Sequence, residues 1–196
     1  MDMNLFNIIS NQELPCKGKI LISSPFLNDI HFMRSVILLV EHDQEGTVGL
    51  IMNKNFKLNV YLNDLLPGFE SVSKIPVYKG GPVGCDTLFY IHRFKDLQGA
   101  IPIMPGLYLN GDFEQIKSYI QNEGETEGVV RFFTGYAGWN AKQLEEEIHE
   151  NSWVVSDIKD NLLSNMNLKQ LWKNSLYKLG NKYALWAKYP IYPGLN

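Results

Sequence analysis

The sequence predicts an α+β fold in one domain. Two patterns lead there: short apolar, β-branched runs follow one another with only turn signals between them, and capped amphipathic stretches interrupt that series at a few places. Strand-to-strand connections outnumber strand-helix-strand ones, which favours α+β over a doubly wound parallel sheet. Length is the third observation: 196 residues with 45% apolar and 20% charged side chains suit one globular core. No repeat or composition break divides residues 1–196, so 1–17 is expected as an N-terminal extension and 156–196 as a helical segment packed on the same domain.

Lys19 to Ser23 predicts a first strand, ended by Ser24-Pro25, and Leu27 to Arg34 an irregular or one-turn helical connection. Val36 to Val40 and Thr47 to Met52 are apolar runs separated by His42-Asp-Gln-Glu-Gly46, the pattern of a hairpin. Alternation puts Leu38, Val40 and His42 on one face and Ile37, Leu39 and Glu41 on the other. Leu58 to Leu66 predicts a short helix stopped by Pro67-Gly68. Strands follow at Ile75 to Tyr78, which runs into Gly80-Gly81-Pro82, at Thr87 to His92, at Ala100 to Met104 and at Leu107 to Leu109. Asp112 and Gln115 have capping-box spacing, with Phe113, Ile116 and Ile120 on the buried face of the helix they start. Trp153 to Val155 predicts a last strand. Asn167 and Gln170 repeat the cap ahead of Leu168, Leu171, Trp172 and Leu179, Gly180 stops that helix, and Tyr183 to Ala187 adds another turn. The tail from Tyr189 to Asn196 is apolar and is expected to dock.

The most densely specified stretch runs from Arg131 to His149. Val129 to Phe133 predicts a strand, Gly135 and Gly138 a tight turn, and Asn140 with Gln143 a capped helix start. Trp139 and Leu144 stand at the positions of a hydrophobic staple, and Leu144 and Ile148 share one helical face.

Charge and cysteine content exclude several classes. The formal charge is −3, arginine occurs only as Arg34, Arg93 and Arg131, and the 15 lysines form no cluster, so nothing suggests attraction to nucleic acid or an anionic membrane. Cys16 and Cys85 are too far apart for a Cys-x-x-Cys motif, which fits a reduced, cytoplasmic setting. No signal peptide or membrane-spanning run is expected, and neither a cofactor nor a metal.

Seven blocks occur in order: Gly18-Lys-Ile-Leu-Ile-Ser, Phe32-Met-Arg-Ser-Val, Val40-Glu-His, Gly46-Thr-Val-Gly-Leu-Ile-Met-Asn, Tyr78-Lys-Gly-Gly-Pro-Val, Leu88-Phe-Tyr-Ile-His, and Gly135-Tyr-Ala-Gly-Trp with Gln143-Leu-Glu. From about Gly18 to Trp153 they resemble the AlgH/YqgE family of bacterial proteins. The resemblance implies an α+β domain whose branched mixed sheet partly closes into a barrel flanked by helices. It brings the label of transcriptional regulator but no agreed catalytic set.

The candidate ligand-binding residues are therefore Arg34, Ser35, His42, Asn53, Gly80, Gly81, His92, Arg131, Tyr136 and Trp139. Arginine forks can hold a carboxylate or phosphate, glycine-rich turns can offer N–H groups to an anion, and histidine can act as base. Each has a plainer role as well. The arginines can pair with the chain's own acids, the glycines can let two strands approach, and the histidines can be bonded internally. Ser35 lacks a nucleophile-elbow context, and Trp139 is already explained by the staple. The leading expectation is a non-enzymatic cytoplasmic binding or regulatory module for a protein partner or small anionic ligand, without sequence-specific DNA binding. The alternative is an enzyme or nucleotide-type binder in which Arg34, His42, Asn53, His92 and Arg131 converge on a cleft, a reading that gains sharply if those side chains meet in one pocket.

Overall fold

The computed structural model describes residues 11, 13–158, 161–164 and 167–190. Most of the N-terminal extension and the tail beyond Pro190 lie outside the described residues. Among the described residues the chain forms β1 (Ile20–Ser23), β2 (Val36–His42), β3 (Gly46–Ile51), β4 (Val60–Tyr61), α1 (Leu62–Leu65), β5 (Pro76–Lys79), β6 (Val83–His92), β7 (Ile101–Met104), β8 (Leu107–Leu109), α2 (Phe113–Glu123), β9 (Val130–Asn140), α3 (Gln143–His149), β10 (Trp153–Ser156), α4 (Leu168–Lys178) and α5 (Asn181–Ala187). This is the α+β class that the strand-to-strand connections predict, although the region from Leu58 to Leu66 holds only β4 and the single turn α1.

The strands run in the order β10-β1-β2-β3-β9-β6-β8-β7, with β5 branching off β9 and carrying β4. All pairs are antiparallel except β5 with β9, where Val77 faces Phe132 and Lys79 faces Thr134. The branch corrects the barrel expected from the family resemblance: β10 and β7 stay unpaired with each other and the sheet is open. The geometry of β9 explains this. Its first half is paired on both edges, by β5 and β6, while β3 joins only its second half, from Ala137 to Asn140. Strands therefore diverge at β9 instead of curling round to meet.

Glycine makes the branch possible. Between Lys79 and Val83 the chain passes from one edge of β9 to the other, crossing it at Gly135 and Tyr136. A Cβ on Gly80 would lie 2.2 Å from the Gly135 carbonyl oxygen, and one on Gly81 only 1.9 Å from the Tyr136 carbonyl carbon. Gly135 answers with φ of +69°, and its own Cβ would stand 2.7 Å from the Gly81 oxygen. The tight turn expected at Gly135 and Gly138 is thus absent. Both lie inside one strand that continues to Asn140.

Both faces of the sheet are covered, which is why β2 is apolar without alternation. Val36, Leu38 and Val40 pack toward α4 and α5, against Trp172, Leu176 and Trp186. Ile37 and Leu39 pack on the other side with Leu144 and Ile148 of α3. A third cluster joins β5 and the start of β9 to Ile116 and Ile120 of α2. A β-bulge between Leu39 and Glu41 adds one residue to β2. The extra residue reverses the alternation, so His42, opposite Thr47, leaves the face that Val40 occupies. The shared face expected for Val40 and His42 is lost there.

The caps match in part. Asp112 accepts the Glu114 N–H at 3.0 Å, and Gln115 donates to its carboxylate at 2.9 Å. Asn167 makes no side-chain cap bond. At α3 the N-cap is Lys142 in the left-handed region, and Asn140 is the last residue of β9. Only half of that capping box exists: the Gln143 side chain accepts the Asn140 backbone N–H at 3.0 Å.

The crossing yields a direct expectation. Gly81→Ala forces two backbones apart and should cost about 3 kcal/mol or more. Gly106→Ala, at φ +77° with nothing within 4 Å of the new Cβ, should cost about 1–2 kcal/mol. Denaturant midpoints compare the two, and equal losses would mean the crossing tolerates a Cβ.

Candidate functional site

Three of the motif blocks, those of Arg34, Asn53 and Gly80, meet at a seam where the end of β3 lies beside the end of β5. Ile51 donates its N–H to Gly80 O at 2.8 Å, Gly80 donates to Thr134 O at 2.8 Å, and Lys79 donates to Lys54 O at 3.1 Å. Asn53 closes the far side. Its Oδ1 accepts the Val36 N–H at 2.9 Å and its Nδ2 donates to Arg34 O at 2.8 Å, which clips Arg34 at φ +52°. Arg34, Asn53 and Gly80 are thus brought to one joint.

Arg34 lies across Trp172 of α4, 4.7 Å from the ring centroid, and donates to the Tyr189 carbonyl after α5. Lys54 donates to Met33 O at 2.7 Å. Burial, then Lys79, then Arg34 push the Lys54 ammonium below its ordinary value, and burial alone lowers Arg34. Lys54 and Lys79 were not singled out from the sequence. They read there as two among scattered lysines, and only the pairing of Lys54 with Lys79 through the backbone gathers them.

Arg131 sits on the adjoining strand and is buried. It donates to Leu162 O at 3.0 Å and Met52 O at 3.2 Å, and its guanidinium stacks 3.9 Å from the Tyr78 ring centroid. Its Nε has no hydrogen-bond partner among the described residues. Burial lowers its pKa, with Tyr78 opposing. Pairing of these arginines with Glu41 or Glu145, the plainer account of them, does not occur: among the described residues Arg34 and Arg131 meet carbonyls and aromatic faces, not carboxylates. A cavity of about 190 Å³ lies against Arg131 and Tyr78, and one of about 170 Å³ runs from Asn55 and Phe56 to Tyr78.

The other candidates lie elsewhere. Ser35 is buried and its Oγ donates to Phe32 O at 2.6 Å. His42 bonds Thr47 Oγ1 through Nδ1 at 2.7 Å and faces Glu145 at 3.7 Å. His92 is fully buried. The Phe94 N–H donates to its Nδ1 at 3.1 Å, so Nε2 carries the proton and donates to Asn110 O at 2.7 Å. Gly81 belongs to the crossing. Tyr136 packs edge-on to Phe89, 5.8 Å between centroids. Trp139 stacks on Phe32 and meets Trp153 edge-on. Both indoles donate to one oxygen of Glu147, at 2.9 and 2.7 Å, while Gln143 donates to the other. A further cavity of about 370 Å³, between Phe94–Leu97 and α2, holds none of the candidates. Among the described residues no His, Cys, Asp and Glu gather as a metal set, and no helix is long and apolar enough to cross a membrane.

An open branched sheet with helices on both faces defines the α+β class to which this protein belongs. The AlgH-like family model matches residues 20–184. A UPF0301 protein of Bacteroides thetaiotaomicron is 49% identical over 196 residues, covering 100% of this chain and 99% of its own. One of Chlorobaculum tepidum is 39% identical, over 91% of this chain and 95% of its own. The solution structure of the AlgH protein from Pseudomonas aeruginosa superposes with a TM-score of 0.67 at 26% identity, over 89% of this chain and 94% of that one. A crystal structure from Corynebacterium diphtheriae, at 21% identity, shares the fold with a TM-score of 0.76 over 96% and 100%. The chain belongs to the AlgH-like family.

Two measurements test the assignments. Burial lowers the His92 pKa, with the Asn110 carbonyl opposing, so the unfolded chain takes up its proton first as pH falls. The stability from neutral His92 should be complete above about pH 6.5 and lost as pH drops toward the folded value. A pH series of denaturant midpoints should decline there in the wild type and flatten in His92→Gln. Glu147→Ala, which strands two buried indole N–H groups, should cost about 2 kcal/mol, whereas Asn140→Ala should change stability by less than about 0.5 kcal/mol.

Proposed function

We propose that the chain is a non-enzymatic cytoplasmic binding module that engages a small ligand through the seam between β3 and β5. One observation carries this reading. The candidate groups Ser35, His42 and His92 are bonded within the fold, while among the described residues no carboxylate pairs with the positive charge of the seam. Unneutralised charge supports holding a ligand more readily than transforming one. The exposed free thiols Cys16 and Cys85 fit a reducing compartment.

Thermal-shift screening of the full chain against a metabolite and nucleotide panel tests it. The expected result is a ligand that raises the melting temperature and is recovered chemically unchanged after long incubation. Turnover of a bound ligand would replace the module with an enzyme. Filter binding of duplex DNA should show no sequence-selective retention at physiological ionic strength, and selective retention would favour a DNA-binding regulator instead.

A further inference from the structure

We propose that the seam binds a phosphate monoester carrying one flat ring, with Arg34, Lys54 and Lys79 holding the phosphate and the cleft beside Phe56, Tyr61 and Tyr78 receiving the ring. The proposal rests on the binding-module reading and names its ligand class.

The three cations come from three separate segments, held together by one side-chain and one main-chain hydrogen bond. Lys54 donates to Met33 O next to Arg34, and its own carbonyl accepts the Lys79 N–H. Arg34 is clipped by Asn53, and its guanidinium lies on Trp172. The Arg34 and Lys54 side chains, held in this way, lose little freedom when an anion arrives. No carboxylate among the described residues pairs with any of the three. A monocarboxylate offsets one positive charge, whereas a phosphate monoester brings about −1.5 to −2 and three acceptor oxygens, enough for a guanidinium fork and two ammonium points. An arriving dianion also reverses the like-charge effect that Lys79 and Arg34 exert on Lys54.

A second observation gives the rest of the ligand its shape. The residues just after Lys54 and just before Lys79 line the same cleft, about 170 Å³, with Phe56, Tyr61 and Tyr78 as aromatic wall and Asn55 and Asn59 as amides. That space lies below the usual range for drug-sized ligands and suits a single ring. Aromatic walls favour a flat ring by stacking, and the amides offer both donors and acceptors to its edge.

Calorimetric titration of the full chain at low ionic strength, with uridine monophosphate, uridine and inorganic phosphate as probes, tests both halves. The nucleotide should bind, inorganic phosphate about tenfold more weakly, and uridine without measurable heat. Lys54→Met and Lys79→Glu should each weaken nucleotide binding about tenfold or more. Lys79→Glu should also melt above the wild type without ligand, because the new carboxylate takes the place of the anion. A merely structural Lys79 would not give that rise. Flat titrations with nucleotide and phosphate, or variants that bind as the wild type does, overturn the site. A different ligand, bound unchanged and equally by wild type and variants, overturns the site and leaves the module. Nucleotide that is bound through Lys54 and Lys79 but hydrolysed keeps the site and removes the module.

Discussion

Contact between two bare stretches of backbone governs this structure. Gly80 and Gly81 lie on Gly135 and Tyr136 with no room for a side chain between them. That closeness lets one chain serve both edges of β9, and so places β5 beside β3 and β6 on the opposite edge. The seam, the separation of three apolar layers and the open form of the sheet all follow from it. Hydrophobic packing stabilises each layer, but it does not choose where the layers part. The glycines do.

The seam itself is built from charges held by carbonyls. Arg34, Lys54 and Arg131 each donate to a main-chain oxygen, and the two arginines also cover aromatic rings. Carbonyl dipoles and ring faces make a buried or half-buried cation tolerable without cancelling its charge. A carboxylate partner would have neutralised them. The joint therefore keeps both order and positive potential, a pairing suited to recognition.

Local signals carried most elements into the structure unchanged: the hairpin from β2 to β3, the cap at Asp112, and the apolar face of α2. What went unread depended on partners distant in sequence. Gly135 and Gly138 have the composition of a turn, and only β3 and the crossing at Gly81 reveal that β9 continues through them. The bulge that displaces His42 comes from pairing with Val48, which alternation along one strand cannot register. Arg34 and Asn53 were recognisable as polar residues at strand ends, and they do meet. His42 and His92 looked alike by the same criterion, yet each is bonded within its own corner. Lys54 gave no signal and Lys79 only that of the Tyr78-Lys-Gly-Gly block, because 24 residues lie between two lysines that one backbone hydrogen bond brings together.

An open sheet leaves strand edges exposed to neighbouring molecules, and each edge here is blunted by a different means. At β7, Pro102 has no N–H to offer, and the register shifts between Pro102 and Met104. At β10, the Asn11 side chain donates to Val155 O at 2.7 Å and occupies an acceptor that an added strand would need. β4 is two residues long. None of the three offers the long, flat ladder on which another chain could template itself, so an unclosed sheet can persist at high concentration without growing from molecule to molecule.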